Sequence, residues 1–171
     1  MLKCEGCNKI IADAGSSKID LGLCSSCDKP AIKNKISYMR MALAWSMNSS
    51  ATRNKVGCLI VKDNRIISDG YNGTPKGFDN RCEFLQKGEY ITKPEVLHAE
   101  SNAISKIATS TISSEGSFLF TTLAPCFDCA KLIIQSGIIC VYYKEDYKTK
   151  EGLILLNRAL IPTIKLSVES S

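Results

Sequence analysis

The chain contains a single histidine, His98, and a glutamate, Glu100, follows it two residues later. Further along the sequence, Cys126 and Cys129 directly follow Pro125 and are spaced three residues apart. At the start of a helix this spacing places both sulfurs on one side, where they can bind one ion together with an imidazole. One histidine and two cysteines leave the fourth position of a tetrahedral zinc ion open for water, an arrangement typical of catalytic rather than structural sites.

Glu100 has two interpretations. A carboxylate in the first turn of a helix can be there for the helix dipole alone, just as a lone histidine in an amphipathic segment is usually structural. Beside a zinc ion, which lowers the pKa of a bound water to about 7, the same carboxylate can accept the proton of that water and pass it to a ring nitrogen. The presence of both cysteines favours this second, catalytic interpretation.

The elements that must position these residues follow from hydrophobic periodicity and turn residues. Apolar residues at helical spacing (Ile36, Met39, Leu43, Met47) predict a helix, and two β-branched runs predict a hairpin that leads into an irregular loop beginning with "GYNGTPKG". The predicted order is helix 36–47, strands 56–61 and 65–68, loop 70–96, helix 98–108, strand 117–123, helix 126–136, strand 138–143, helix 150–160 and edge strand 163–168. This order predicts an α/β fold in which helices cover both faces of a mixed sheet.

The first thirty residues have a different composition from the rest of the chain. They contain two Cys-x-x-Cys pairs and too little apolar surface to become ordered without a metal or a cross-link. Four cysteines close a tetrahedral site and leave no reactive position. The sequence therefore predicts a structural zinc knuckle formed by Cys4, Cys7, Cys24 and Cys27.

The composition limits the remaining function classes. The formal charge of +5 is carried by scattered single residues, and metal-bound thiolates reduce it, so a nucleic-acid partner is not expected. The apolar runs are too short to cross a membrane, and the pairs of cysteines fit metal binding in a reducing compartment better than disulfides. We expect a cytoplasmic protein, in which Cys58 and Cys140 are buried and Cys82 is a free thiol.

The catalytic pattern has a known counterpart. His-x-Glu followed by Pro-Cys-x-x-Cys is the signature of zinc-dependent nucleobase deaminases. The segments "VGCLIVKDNRIISDGYNGTPKG", "LHAESNAI", "TLAPCFDCAKLIIQSGI" and "VYY" resemble deoxycytidylate (dCMP) deaminases of bacteria and phages over residues 36 to about 165. "GYNGTPKG" is the segment that narrows the resemblance to this branch.

The resemblance implies a three-layer α/β/α cytidine-deaminase-like fold with a mixed five-stranded sheet. It assigns residues 31–171 to the deaminase domain and residues 1–30 to the zinc knuckle extension. The implied reaction is the hydrolysis of dCMP to dUMP and ammonia by a zinc-bound hydroxide, which supplies dUMP for thymidylate synthesis. Two zinc ions per chain are expected, one catalytic and one structural.

The resemblance also assigns substrate contacts. The backbone at Ala99 is expected to donate to the carbonyl of the base, and a carbonyl at Leu123 or Ala124 to accept from the leaving amine. Arg53 is expected to bind the 5′-phosphate, in preference to Lys55, although a solvated loop arginine is the alternative. Asn72 is expected to bind the sugar hydroxyl, although it can equally be a turn residue.

Many members of this family are hexamers that are activated by dCTP and inhibited by dTTP. The resemblance places such an effector, with its Mg²⁺, at Gly73, Thr74, Pro75 and Lys76. In the following helix, Lys106 and Thr109 stand where regulated phage members carry an aromatic residue and an arginine. This departure weighs against retained regulation.

Two other functions remain open from the sequence. One is a different zinc-dependent deaminase, acting on a nucleoside, a nucleobase or a tRNA adenosine. The other is a zinc-ribbon binding module with an inactive deaminase scaffold, which Glu100 beside a complete ligand set argues against.

Overall fold

The computed structural model describes residues 2–3, 10–12 and 25–168, with side chains from residue 34 onward. The chain divides into two compact units, Met1–Ser37 and Tyr38–Ser171. Of the predicted zinc knuckle, Cys4, Cys7 and Cys24 lie outside the described residues, as does the side chain of Cys27. The knuckle therefore stays a prediction.

Four helices and nine strands are defined within the described residues. They are β1 (Leu2–Lys3), β2 (Ile10–Ala12), α1 (Ser25–Ser46), β3 (Gly57–Lys62), β4 (Arg65–Tyr71), β5 (Glu83–Gln86), β6 (Glu89–Thr92), α2 (Ala99–Ala108), β7 (Phe118–Leu123), α3 (Phe127–Gln135), β8 (Cys140–Glu145), α4 (Glu151–Arg158) and β9 (Thr163–Lys165).

The main sheet has five strands in the order β4-β3-β7-β8-β9. β3 pairs antiparallel with both β4 and β7, whereas β7, β8 and β9 run parallel to one another. The predicted hairpin at its edge is confirmed, because Asp63 and Asn64 both have positive φ and form the two-residue turn that such a hairpin favours. A mixed five-stranded sheet is thus present, as predicted.

Helices pack on both faces of the sheet, which confirms the predicted α/β class. On one face, a cluster of buried apolar residues joins the sheet to α2, α3 and α4. Its members include Ile60, Ala103, Ile133 and Leu156. On the other face lies the C-terminal part of α1, where Tyr38 contacts Phe120 with ring centroids 5.3 Å apart. Cys58 and Cys140 are buried, as expected from their strand positions.

Two predictions from periodicity were wrong. α1 begins at Ser25 rather than at residue 36, and it ends before Met47, whose side chain is exposed. The segment after the "GYNGTPKG" loop is not irregular, because it contains the antiparallel hairpin β5–β6. Its two-residue turn, Lys87-Gly88, has positive φ at both positions, as such hairpins favour.

Among the residues that the structure describes, no helix combines the length and the apolar character needed to cross a membrane. This agrees with the short apolar runs of the sequence.

The contact between α1 and β3 yields a stability prediction. Gly57→Ala should lower the free energy of unfolding by about 3 kcal/mol, because the added Cβ would lie 2.1 Å from the carbonyl oxygen of Ala42 and 2.7 Å from the amide of Ser46. Denaturant unfolding measures the change. Gly73→Ala is the control, since its nearest new contact would be 3.8 Å away. A Gly57→Ala protein as stable as the control would contradict this packing.

Candidate active site

His98 is placed by a short link between the loop and α2. Leu97 and Gly73 exchange two backbone hydrogen bonds of 2.9 and 3.1 Å, which fix the chain just before the helix. His98 is the N-cap residue of α2, with an extended backbone (φ −70°, ψ 158°). Its exposed side chain therefore projects from the N-terminus of α2 instead of packing in the core.

Cys126 occupies the equivalent position at the N-terminus of α3. Its backbone is extended, and its sulfur accepts a hydrogen bond from the amide of Cys129 at 3.5 Å. α4 packs closely on this turn, because a Cβ at Gly152 would lie 2.1 Å from the carbonyl oxygen of Pro125. α3 thus begins shortly after strand β7 ends, with Cys126 as its N-cap and Cys129 in its first turn.

The three predicted metal ligands converge. Nδ1 of His98 lies 3.3 Å from Sγ of Cys126 and 3.4 Å from Sγ of Cys129. All three ligand atoms lie within 4.8 Å of one another. Zinc bonds of about 2.05 Å to nitrogen and about 2.3 Å to sulfur give a tetrahedral N–S separation of about 3.5 Å. The residues therefore fit a zinc ion with little rearrangement, and in residues 34–168 they form the one cluster of this kind.

Glu100 lies beside this cluster and is 4% exposed. Its Oε1 accepts a hydrogen bond from the hydroxyl of Thr121 at 3.4 Å, and Oε2 lies 3.6 Å from Sγ of Cys129. Burial raises the pKa of the Glu100 carboxyl. A raised pKa makes it easier for this carboxyl to hold a proton and later to donate it. The interpretation of Glu100 as a solvated surface carboxylate is therefore wrong.

The cysteines carry unequal charge. The hydrogen bond from the Cys129 thiol lowers the pKa of Cys126 to about 4, with a further contribution from His98. The same hydrogen bond, together with burial, raises the pKa of Cys129. The pKa of His98 is raised by its contact with Cys126. A thiolate at Cys126, stabilised by its neighbours, thus already faces the point where a cation would bind.

The residues expected to bind the base lie next to the cluster. Ala99 is fully buried at the first position of α2, and its backbone is part of the helix N-terminus. The carbonyl of Leu123 accepts a hydrogen bond of 3.0 Å from Thr121, and the amide of Ala124 donates to Glu145 at 2.8 Å. Thr121 was missed by sequence reasoning, although its position in the strand before Cys126 was a signal.

Asn72 has both ends of its side-chain amide engaged by backbone. Its Oδ1 accepts from the amide of Val56 at 2.8 Å, and its Nδ2 donates to the carbonyl of Asn54 at 2.8 Å. Asn72 therefore ties the "GYNG" segment to the loop before β3, which is the structural alternative stated for it. A hydrogen bond to a sugar hydroxyl would use the second lone pair of Oδ1 or the second N–H of Nδ2.

Arg53 lies in that same loop and is exposed. Within residues 34–168, no hydrogen bond or ion pair engages its guanidinium. The neighbouring Lys55 is also exposed.

Tyr147 is a further residue that sequence reasoning missed. Burial raises the pKa of its hydroxyl, the negative charges of Cys126, Cys129 and Glu100 raise it further, and Arg53 lowers it. Tyr147 thus lies within electrostatic range of the metal cluster and of Arg53. A signal was available, since it follows β8 at the carboxyl edge of the parallel strands, where ligands commonly bind.

The residues assigned to an effector lie in a separate turn. Gly73 pairs with Leu97, and the hydroxyl of Thr74 donates to the carbonyl of Asp79 at 2.6 Å. Pro75 accepts from the amide of Phe78, and Lys76 is exposed. In α2, Lys106 forms an ion pair of 2.7 Å with Asp69, and Thr109 caps the helix end.

The fold and the site define an α/β protein with a candidate catalytic metal centre of one histidine and two cysteines beside a buried carboxylate. The chain belongs to the family described as the cytidine and deoxycytidylate deaminase zinc-binding region, which it matches over residues 32–145.

Individual relatives agree with this assignment. The chain is 37% identical over 116 residues to ComE operon protein 2 of Bacillus subtilis, covering 66% of this chain and 59% of that protein. It is 34% identical over 153 residues to the deoxycytidylate deaminase of Enterobacteria phage T4, covering 67% of this chain and 79% of that enzyme. The chain thus spans under two thirds of the first relative and over three quarters of the second.

A solved structure is also similar. The dCMP deaminase of cyanophage S-TIM5, in complex with dCMP and dUMP, shares 43% sequence identity with a TM-score of 0.73. The match covers 80% of this chain and 98% of that one.

The convergence of the three ligands yields a metal prediction. Cys126→Ser should lower the zinc content by about one ion per chain, because a hydroxyl is a much poorer zinc ligand than a thiolate. Elemental analysis after dialysis measures the loss. Cys82→Ser is the matched control, since this buried thiol lies against Ser50 and outside the cluster. Equal zinc contents in the two variants would contradict the ligand assignment.

Proposed function

We propose that this chain is a zinc-dependent deaminase that hydrolyses dCMP to dUMP and ammonia. The observation that carries the proposal is the buried carboxyl of Glu100, 3.6 Å from a sulfur of the ligand cluster. A carboxyl in this place has the protonation chemistry that hydrolytic deamination requires. The named relatives of similar length, from phage T4 and cyanophage S-TIM5, are both described as acting on this nucleotide.

His98, Cys126 and Cys129 would hold the zinc ion. When bound, zinc lowers the pKa of a coordinated water and so supplies a nucleophile at neutral pH. The remaining steps fall to the protein. Glu100 takes a proton from the attacking water and delivers it to N3 of cytosine as the new C4–O bond forms. It then takes the proton of the new C4 hydroxyl and transfers it to the amine, the C4–N4 bond breaks, and ammonia and dUMP result.

The burial of Glu100 suits this double role. Because burial raises its pKa, the protonated form is less costly here than for a solvated carboxylate, so the group can hold a proton between the two transfers. The contact with Thr121 orients Oε1 and leaves Oε2 on the side of Cys129. The amide of Ala99 would donate to the base carbonyl, and a carbonyl at Leu123 or Ala124 would accept from the leaving amine.

The substrate would extend from the cluster past Tyr147 toward Arg53. The place of Tyr147 just after β8, at the carboxyl edge of the parallel strands, supports this direction. An exposed guanidinium with no partner in residues 34–168 is suited to a phosphate, which it can bind through two parallel hydrogen bonds. A 5′-monophosphate is thus the preferred substrate class.

We further propose a second, structural zinc bound by Cys4, Cys7, Cys24 and Cys27. The supporting observation is the spacing of the two Cys-x-x-Cys pairs. Zinc analysis of the unsubstituted chain should then give two ions, of which Cys126→Ser removes one. A hexamer and an effector site with Mg²⁺ at residues 73–76 rest on family resemblance alone.

The role of Glu100 is tested by substitution. Glu100→Ala should lower the rate of ammonia release from dCMP by at least about a thousandfold, because no other described carboxyl contacts the cluster. Zinc content should be unchanged, which separates lost catalysis from lost metal. The assay should include CMP, deoxycytidine, dCTP and adenosine. A zinc-loaded protein that releases no ammonia from dCMP, or a Glu100→Ala variant with unchanged activity, would refute the proposed reaction.

Phosphate recognition is tested at Arg53. Arg53→Ala should raise KM for dCMP about tenfold or more and leave the turnover of deoxycytidine within about twofold, since deoxycytidine has no phosphate for the guanidinium to bind. Lys55→Ala is the matched control, as it removes a neighbouring exposed cation. If Arg53→Ala weakens both substrates alike, or if Lys55→Ala has the larger effect on dCMP, Arg53 is not the phosphate ligand.

A further inference from the structure

The loop that carries Arg53 is held by the segment leading into the β5–β6 hairpin. The hydroxyl of Ser50 donates to the carbonyl of Asn80 and lies 3.4 Å from the sulfur of Cys82. Across the base of the hairpin, the amide of Lys93 donates to the carbonyl of Cys82 at 2.9 Å. The hairpin and the loop are therefore joined by side-chain and backbone contacts.

Glu83, the first residue of β5, makes the last contact in this series. Both of its carboxylate oxygens accept from the amide of Thr52 at 3.2 Å, and Oε1 also accepts from the amide of Arg53 at 3.4 Å. A carboxylate that accepts from successive amides restricts the backbone between them, because charge-assisted hydrogen bonds are stronger than neutral ones. Glu83 thus fixes the main chain from which the Arg53 side chain projects.

The hairpin also borders a cavity. Glu83 and Tyr90 lie on one face of the hairpin, and Glu89 and Ile91 lie on the other, because neighbouring residues on a strand point to opposite faces. A surface cavity of about 370 Å³ is lined by Arg53, Glu89, Tyr90 and Ile91. Arg53 and strand β6 thus border a common space at the surface.

We infer that the β5–β6 hairpin forms one wall of the phosphate end of the substrate site and that Glu83 is a positioning residue for Arg53. This inference rests on the proposed function, since it requires Arg53 to bind the phosphate of a deoxynucleoside monophosphate. Glu83 itself does not contact the phosphate. It acts through the backbone of residues 52 and 53.

Two effects of the carboxylate oppose each other and can be separated. Its hydrogen bonds orient the loop, which favours phosphate binding, whereas its negative charge repels a phosphate bound nearby. Glutamine keeps an oxygen acceptor and removes the charge, but alanine removes both. Orientation is the larger effect if Glu83→Ala weakens phosphate binding and Glu83→Gln does not.

The test measures equilibrium binding of dUMP and of deoxyuridine to the zinc-loaded protein by calorimetry, so no turnover is needed. Glu83→Ala should lower the affinity for dUMP about tenfold and change the affinity for deoxyuridine by less than about twofold. Glu83→Gln should bind dUMP within about threefold of the unsubstituted protein or more tightly. Gln86→Ala, in the same strand but on the opposite face, is the control and should change neither ligand.

A double substitution tests the route of the effect. In an Arg53→Ala background, Glu83→Ala should weaken the binding of dUMP by less than about twofold, because the group that it positions is absent.

Three results would overturn the inference. They are an unchanged dUMP affinity in Glu83→Ala, an equal loss of affinity for dUMP and deoxyuridine, and a loss of dUMP affinity in Glu83→Gln equal to that in Glu83→Ala. If the unsubstituted protein binds dUMP no better than deoxyuridine, the proposed phosphate specificity itself fails. A preference for dUMP that Glu83→Ala leaves intact overturns only the role of Glu83.

Discussion

The site depends on the meeting of two helix N-termini at one point. His98 begins α2 and Cys126 begins α3, so the ligand atoms project from backbone ends whose partial positive charge favours a thiolate. The imidazole nitrogen is brought within zinc-binding distance of the two sulfurs although His98 precedes Cys126 by 28 residues and Cys129 by 31. Neither helix could hold the group alone, and the sheet and core that join α2 to α3 are therefore what makes a metal centre possible.

Burial gives the second component of the site. Glu100 lies in the first turn of α2, and its carboxyl is buried in the protein beside Cys129. The desolvated carboxyl is costly unless it has partners, and Thr121 and Cys129 provide them. Three metal ligands and a buried proton carrier beside them can serve one water and one substrate, and this arrangement fits the hydrolytic deamination proposed for this chain.

The sequence was most informative where local chemistry and periodicity agree. Residue type and spacing were enough to predict the ligand set and the neighbouring Glu100, because few residue types bind zinc. Hydrophobic periodicity predicted the strands and helices around them. Thr121 and Tyr147 were missed because neither belongs to a motif of characteristic spacing, and the position of each in or after a strand is informative only once the site is placed. The β5–β6 hairpin was missed because its strands are largely exposed and so lack the alternation of buried and exposed residues that predicts a strand. For Asn72, both predicted roles were consistent with the sequence, and the observed contacts to Asn54 and Val56 support the structural one.

The central claim is that this cluster deaminates a cytosine nucleotide selected by its phosphate. The most direct measurement is to incubate the zinc-loaded protein with an equimolar mixture of dCMP and deoxycytidine and to follow both bases by proton NMR in one tube. The account predicts that dCMP is converted to dUMP while deoxycytidine persists, and that a chelator stops the conversion. Conversion of both compounds at equal rates, or of neither, would contradict it.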